Sequence, residues 1–105
     1  MSAILLLRTT FSDAAVADHV ARRMIEQRLA ACASLSPTRS VYRWQGVVET
    51  AEETVVLFKT THDRAAALQA AIAALHDYDM PVIETWDAGV EPEVAAWIYD
   101  ETAAE

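Results

Sequence analysis

The sequence predicts an α+β fold in a single domain that spans residues 1–105. Two helical patterns stand between apolar or alternating runs, in the order strand, helix, strand, strand, helix, strand. The two middle strands follow each other directly, so we expect them to form an antiparallel hairpin. The first of these strands, from about residue 40 to residue 49, extends roughly 33 Å at about 3.3 Å per residue, so the hairpin is unusually long.

The first two elements are a strand over residues 3–9 and a helix that runs to about Ala30. Ser12 and Asp13 provide a cap and a first-turn carboxylate at the start of this helix. Apolar residues recur on one side of the helix, and we expect that side to be buried. This stripe consists of Val16, Ala17, Val20, Ala21, Met24 and Leu29.

The remaining elements are predicted from turn residues and periodicity. Residues 50–53, which include Glu52 and Glu53, are expected to form the hairpin turn, with Tyr42, Trp44 and Val48 on one side of the first strand. Thr60 or Thr61 caps a second helix that ends near His76, and its apolar stripe is Leu68, Ile72 and Leu75. A fourth strand over residues 81–86 follows, and Pro92 opens a short C-terminal helix that carries Trp97.

Composition and charge exclude several classes of function. The net charge of −8, from 16 acidic and 8 basic residues, repels a phosphate backbone, so nucleic acid is not a predicted partner. Cys32 is the only cysteine, and the apolar N-terminal run is too short for a membrane span, so we expect a cytoplasmic protein without a membrane partner. The two glycines are far apart and cannot form a phosphate loop, and no catalytic grouping is visible, so no enzyme is predicted.

The apolar residues of the strands predict self-association. Residues 4–7 and 55–58 are apolar at consecutive positions, so both faces of the sheet carry apolar side chains. If both helices cover one face, the other face needs a cover as well. Exposing large aliphatic side chains costs about 1.5 to 3 kcal/mol each, so further copies of the chain are the simplest cover.

Several motifs together resemble the CutA family of divalent-cation tolerance proteins. The similar residues cover nearly the whole chain and include residues 28–32, Pro37, the segment from Ser40 to Gly46, Lys59, Thr60, His76, Tyr78, Pro81 and Trp97. The resemblance implies a ferredoxin-like fold and a tight homotrimer similar to the PII signalling proteins, in which hairpins wrap around adjacent subunits. The sequence departs from the family pattern in several places. Asp77 stands where proline is usual, and Val82 stands where glutamate is usual, with Glu84 as a substitute on the same strand face. The segment from Gly89 to Val94 is also spaced differently.

The resemblance implies tolerance or homeostasis of divalent or heavy metals such as copper. A metal ion or a small effector would bind at clefts between subunits. The candidate metal ligands are Cys32, His76, Asp79 and Glu84, and the candidate cleft residues are Tyr42, Trp44, Lys59 and Tyr78. A PII-like signalling or scaffold protein, which binds a protein partner through its acidic hairpin without metal chemistry, is the alternative.

Each candidate residue also has a structural interpretation. Cys32 can be a soft ligand for copper(I) or a small buried apolar residue. His76 lies at a helix C-terminus, where it suits either a metal or the helix dipole. Tyr42 and Trp44 can stack on a ligand or anchor a contact between subunits, and Lys59 can bind an anion or form an ordinary salt bridge.

Overall fold

The computed structural model describes residues 2–104, and the predicted order of strands and helices is confirmed. The elements are β1 (Ser2–Phe11), α1 (Ala14–Glu26), β2 (Cys32–Trp44), β3 (Val47–Thr60), α2 (Ala65–Leu75), β4 (Ile83–Val90) and α3 (Pro92–Glu101). A single turn of 3-10 helix at His62–Arg64 precedes α2. β4 begins and ends later than the predicted residues 81–86, and Pro92 opens α3 as predicted.

The four strands form one antiparallel sheet in the order β2-β3-β1-β4. β1 lies in the interior of the sheet and pairs with both β3 and β4, while β2 pairs with β3 along the long hairpin. This strand order, combined with the βαββαβ sequence of elements, is the ferredoxin-like arrangement that the family resemblance implied. β2 and β4 are therefore the two edges of the sheet.

The hydrophobic core lies between the sheet and the helices α1 and α2. Leu7 and Phe11 of β1 and Phe58 of β3 point to this side and are completely buried. The helices contribute the buried residues Ala17, Val20, Ala21, Met24, Leu68 and Ile72. The stripe predicted for α1 is confirmed at these positions, but Leu75 of the α2 stripe is 39% exposed and lies outside the core.

An N-cap at the start and a left-handed residue after the end set the bounds of α1. The Asp13 carboxylate accepts a hydrogen bond of 2.7 Å from the Ala15 amide, so Asp13 is the N-cap. The helix ends at Glu26, earlier than the predicted Ala30, because Arg28 adopts a left-handed conformation with φ of 59°. A chain in this conformation cannot continue a right-handed helix.

The prediction for the hairpin turn is wrong. Residues 50–53 lie within β3, and the chain reverses at Gln45 and Gly46 instead. Both turn residues have positive φ, 49° for Gln45 and 83° for Gly46, as expected for the two-residue turns that match the twist of a hairpin. Both strands of the hairpin are consequently longer than predicted, with 13 residues in β2 and 14 in β3.

The earlier turn also changes which residues share a face. Tyr42 and Trp44 lie on the same face, as predicted, and their cross-strand partners are Glu49 and Val47. Val48 pairs with Arg43 and lies on the opposite face, so the prediction that placed it beside Tyr42 is wrong. Neighbouring residues of a strand alternate between faces, so assigning Val48 to the wrong strand placed its side chain on the wrong side.

The end of the hairpin extends beyond the rest of the sheet. The ladder between β1 and β3 stops at the pair Phe11 and Thr54, whereas β2 and β3 remain paired as far as Trp44 and Val47. This overhang of seven residues per strand extends about 24 Å at about 3.4 Å per residue. Its apolar side chains are exposed on both faces, for example Val41 at 65% and Val47 at 57%.

The sheet face opposite the core is called the open face here. It carries the alternate residues of β1 and β3, including Leu6, Arg8, Val55 and Leu57. Leu6, Val55 and Leu57 are only partly buried in the single chain, and Trp86 of β4 on the same face is 43% exposed. The sequence-based expectation that this face needs a further cover agrees with these exposures.

Candidate functional site

A cleft of about 600 Å³ lies where the hairpin leaves the open face of the sheet. The name hairpin cleft is used here for the cavity whose walls include Arg8 of β1, Tyr42 and Trp44 of β2, Glu53 of β3, Tyr78 of the α2–β4 connection and Glu84 of β4. Its volume falls within the range of about 300 to 1,000 Å³ that is usual for small-molecule sites. The cleft is the candidate functional site because it brings aromatic and charged side chains together from four strands and a loop.

Tyr78 and Glu53 form the bond that closes one side of the cleft. The Tyr78 hydroxyl donates to Glu53 Oε2 at 2.5 Å and joins the α2–β4 connection to the hairpin. Burial raises the pKa of Tyr78, and its bond to the Glu53 carboxylate raises the pKa further, so the phenol keeps its proton. A protonated phenol can continue to donate to the carboxylate at neutral pH.

Glu53 is a fixed negative charge in the cleft. Partial burial on its own would raise the pKa of this carboxyl. Hydrogen bonds from Ser40, Tyr78 and Thr10, together with the charge of Arg8, outweigh burial and hold the pKa of Glu53 below its ordinary value. The carboxylate is therefore ionised throughout the neutral range.

Arg8 and Glu84 form an ion pair across neighbouring strands. They are direct cross-strand partners on the open face, and Arg8 Nη1 lies 2.9 Å from Glu84 Oε1. Both side chains remain substantially exposed, 39% for Arg8 and 52% for Glu84, so solvent weakens the pair. A ligand that competes for the Glu84 carboxylate would need to displace or share Arg8.

His76 stands beside the cleft but faces the core. Its side chain is completely buried and stacks on Phe11 at 4.2 Å between ring centroids. The Tyr78 amide donates to Nδ1 at 3.0 Å, so the ring proton resides on Nε2, which lies 3.1 Å from the Thr9 hydroxyl. That hydroxyl donates onward to the Val82 carbonyl at 2.8 Å.

These contacts make His76 a structural support for the cleft. Burial lowers the pKa of His76 and outweighs the opposing charge of Asp77, so the ring is neutral near pH 7. Both ring nitrogens already have partners in the described structure. A metal-ligand role for His76 would require the ring to give up one of these contacts.

Asp77 connects the same loop to the start of α1. Its carboxylate accepts hydrogen bonds from the Ser12 hydroxyl at 2.9 Å and from the Asp13 amide at 3.1 Å. A carboxylate at a helix N-terminus is favourable because of the helix dipole. Residues 76–78 therefore anchor the α2–β4 connection to β1, α1 and the hairpin, and this arrangement fixes one wall of the cleft.

The structure brings five of the predicted site residues together and separates three. Tyr42, Trp44, Tyr78, Asp79 and Glu84 all line the hairpin cleft. Cys32 and Lys59 are cross-strand neighbours elsewhere on the open face. Cys32 is on the edge strand β2 and Glu84 is on the opposite edge strand β4, so three strand spacings of about 4.8 Å separate these strands, about 14 Å in all.

A metal-binding cluster is absent from residues 2–104 of the isolated chain. These residues contain no group of three or more histidine, cysteine, aspartate or glutamate side chains placed to hold a metal ion. The predicted ligands Cys32, His76, Asp79 and Glu84 come from separate parts of the chain.

Arg8, Glu53 and Asp77 contribute to the site but were not identified from the sequence. Arg8 interrupts an apolar strand, and this interruption was the only local signal for it. Glu53 was assigned to a turn, and Asp77 was considered with His76 and Asp79 as a possible cation-binding cluster, not as a partner of the start of α1. Their partners lie 25 to 76 residues away in the chain, so the strand order is needed to find them.

No helix among residues 2–104 has the length and apolar composition required to cross a membrane.

The sequence and the fold match a known class of small proteins. A family model described as the CutA1 divalent ion tolerance protein matches residues 5–101. The chain therefore belongs to the CutA1 divalent ion tolerance family, and the resemblance that the motifs indicated is confirmed. Family membership associates the chain with tolerance or homeostasis of divalent cations in general.

Individual relatives match over most of their length. The divalent-cation tolerance protein CutA of Pyrococcus horikoshii is 34% identical over 100 residues, which cover 94% of this chain and 98% of the relative. The crystal structure of CutA1 from the same organism gives a TM-score of 0.91 at 33% identity and covers 95% of this chain and 99% of its own. These similarities confirm the predicted fold.

A second solved structure bears on the predicted cytoplasmic location. The CutA of Archaeoglobus fulgidus is described as a periplasmic divalent cation tolerance protein. It gives a TM-score of 0.91 at 26% identity and covers 97% of this chain and 100% of its own. The location of the present chain therefore stays a prediction.

Proposed function

We propose that the protein is a cytoplasmic homotrimer that contributes to divalent or heavy-metal tolerance by binding a metal ion or a small effector at clefts between subunits. Family membership supports the metal-tolerance part of this proposal. The open face supports the assembly, because Leu6, Val55 and Leu57 are only partly covered in a single chain. The proposed role is binding, with no catalytic step.

The overhang of the hairpin is the observation that carries the proposal. It extends about 24 Å past the end of the β1–β3 ladder and exposes apolar residues on both faces. Val41 and Val48 on one face and Trp44 and Val47 on the other are between 46% and 65% exposed. A lone hairpin with this much exposed apolar surface is marginal in water, so contact with a neighbouring copy would stabilise it.

The proposed metal ligands differ in their availability. Asp79 and Glu84 lie in the cleft and supply oxygen donors, which suit hard divalent cations. Cys32 supplies a thiolate, which suits copper(I), and it lies on the open face that the proposed assembly covers. His76 remains a proposed nitrogen donor, on condition that its ring leaves Thr9 or the Tyr78 amide.

Calorimetric titration of copper and zinc into the native protein tests this proposal. We expect binding that weakens by about tenfold or more when Cys32→Ala removes the thiol or when Glu84→Gln removes a carboxylate charge. The matched control is Glu52→Gln, because Glu52 is on the opposite face of the hairpin with a side chain 81% exposed. Unchanged metal binding in Cys32→Ala, His76→Ala and Glu84→Gln would exclude the proposed ligands.

The PII-like signalling or scaffold function is the second candidate. The feature that favours it is the exposed acidic edge of the overhang, where Glu49 and Glu52 are accessible to a protein partner. Glu53 is not part of this exposed edge, because it faces the cleft and bonds Tyr78. A native protein that assembles but binds neither copper nor zinc in the titration would favour this candidate.

A further inference from the structure

Three aromatic side chains line the hairpin cleft. Tyr42 and Trp44 project from alternate positions of β2, and Tyr78 approaches from the α2–β4 connection. Tyr42 is 41% exposed and Trp44 is 46% exposed in the single chain. The faces of such rings carry negative partial charge and attract cations that lie within about 6 Å of the ring centre.

The cleft is also negatively charged. Four carboxylates line it, from Glu49, Glu53, Asp79 and Glu84, against the single guanidinium of Arg8. Arg8 is already paired with Glu84 at 2.9 Å, so the Glu84 carboxylate neutralises much of the Arg8 charge. A concave site of one sign concentrates ions of the opposite sign and repels anions.

Glu53 is positioned to act as the fixed counter-ion. Its Oε2 accepts the 2.5 Å bond from Tyr78, and the side chains of Ser40 and Thr10 line the same cleft. The Tyr78 bond orients the carboxylate beside the aromatic walls. A charge held in place in this way loses little conformational freedom when a ligand binds.

We infer that the hairpin cleft binds a small organic cation, a quaternary or protonated amine that carries a short apolar body. The cationic group would lie against the faces of Tyr42 and Trp44 and opposite the Glu53 carboxylate. The apolar body would contact Met80 and Val82, which also line the cleft and are 65% and 61% exposed. This inference rests on the proposed effector-binding function and names the chemical class of the effector.

The aromatic walls distinguish this ligand class from a bare metal ion. A hard divalent cation requires several oxygen ligands that converge at about 2.0 to 2.6 Å. Two of the four carboxylates in the cleft are already bonded, Glu53 to Tyr78 and Glu84 to Arg8. Aromatic faces add little to metal coordination but contribute directly to the binding of an organic cation.

Paired titrations of the native protein test the inference. Choline is the probe, and 3,3-dimethylbutan-1-ol is its control, because it has nearly the same shape with an uncharged carbon in place of the nitrogen. We expect choline to bind at least about tenfold more tightly than the alcohol by calorimetry at low salt. Equal affinities would show an apolar cleft without cation recognition and would overturn the inference.

Two pairs of variants locate the binding. Glu53→Gln can still accept the Tyr78 bond but loses the charge, so we expect choline binding to weaken by about fivefold or more. Glu52→Gln, one residue away on the opposite face, is expected to leave choline binding unchanged. Trp44→Leu is expected to abolish measurable binding, whereas Trp97→Leu, which removes a tryptophan of similar exposure on α3, is not.

The failure of this inference can be distinguished from the failure of the proposed function. A protein that assembles and binds copper or zinc, but prefers the alcohol or binds neither organic probe, overturns the organic-cation inference alone. The same conclusion follows if a neighbouring copy fills the cleft and the assembled protein takes up no choline. A protein that stays monomeric and binds no metal contradicts the proposed function, whatever its affinity for choline.

Discussion

Tyr78 and Glu53 are 25 residues apart in the chain, yet their side chains form a single bond that joins a loop to the hairpin. Burial is the largest cause of the raised pKa of Tyr78, and its bond to Glu53 raises that pKa further. The same bond helps to lower the pKa of Glu53, together with Ser40, Thr10 and the charge of Arg8. The contact therefore contributes to the charge of the cleft and holds one of its walls.

Removing the hydroxyl by Tyr78→Phe is expected to lower the free energy of unfolding by about 1 kcal/mol at pH 7, because one partly exposed charge-assisted hydrogen bond is lost. Urea denaturation at a fixed protein concentration measures this difference. Tyr99→Phe is the matched control, since Tyr99 lies on α3 and is 60% exposed. An equal loss in both variants would contradict a specific role for the Tyr78 bond.

The stability difference between the native protein and Tyr78→Phe is expected to decrease as the pH falls. The pKa of Glu53 is lowered on folding, so the unfolded carboxyl, with a pKa near 4.5, takes up a proton first as the pH falls. The contribution of the ionised carboxylate is therefore complete above about pH 5.5 and is lost as the pH falls through the lowered pKa of the folded state. The difference between native protein and Tyr78→Phe should shrink at pH 3.

The sequence pattern predicted the positions of some residues of the cleft but not of others. The alternation in β2 placed Tyr42 and Trp44 on one face, and this follows from strand geometry alone. The pairing of Arg8 with Glu84 depends on β1 lying beside β4, which no local pattern specifies. His76 was correctly placed at the end of α2, but its burial against Phe11 could be seen only in the assembled fold.

The hairpin is the element whose description changed most between sequence and structure. Residues 50–53, with Glu52 and Glu53, are typical of a turn, but they lie in β3, where the overhang exposes both faces and tolerates charged side chains. The real signal was Gly46, a residue that favours positive φ. The core-forming parts of α1 and β1 were predicted well because burial imposes a regular apolar pattern on them.

The Gly46→Val substitution tests the hairpin turn. The position has φ of 83°, and an added Cβ would meet nothing within 4 Å, so the cost is that of the backbone alone. We expect the free energy of unfolding to fall by about 1 to 2 kcal/mol, since a β-branched residue is disfavoured in this region.

Gln45→Asn is the companion variant for the turn. Gln45 also has a positive φ, of 49°, and asparagine tolerates this conformation better than glutamine. We expect its free energy of unfolding to equal or slightly exceed that of the native protein in the same urea series. Stability unaffected by Gly46→Val would contradict the turn at these two residues.

At the scale of the whole molecule, the sheet has one covered face and one open face. The core between the sheet and the helices α1 and α2 contains completely buried residues such as Leu7, Phe58 and Ile72. The open face carries partly buried aliphatic residues and an exposed Trp86, and the hairpin projects beyond it. This asymmetry is the physical basis of the proposed trimer and of the proposed clefts between subunits.

Size-exclusion chromatography with light scattering at micromolar concentration measures the molar mass of the native protein and tests the proposed assembly. A single chain has a mass of 11.5 kDa, and we expect the homotrimer to give a stable species of about three times that value. A folded species with the mass of one chain would contradict it, because the open face and the overhang would then be stable in water without a neighbouring copy.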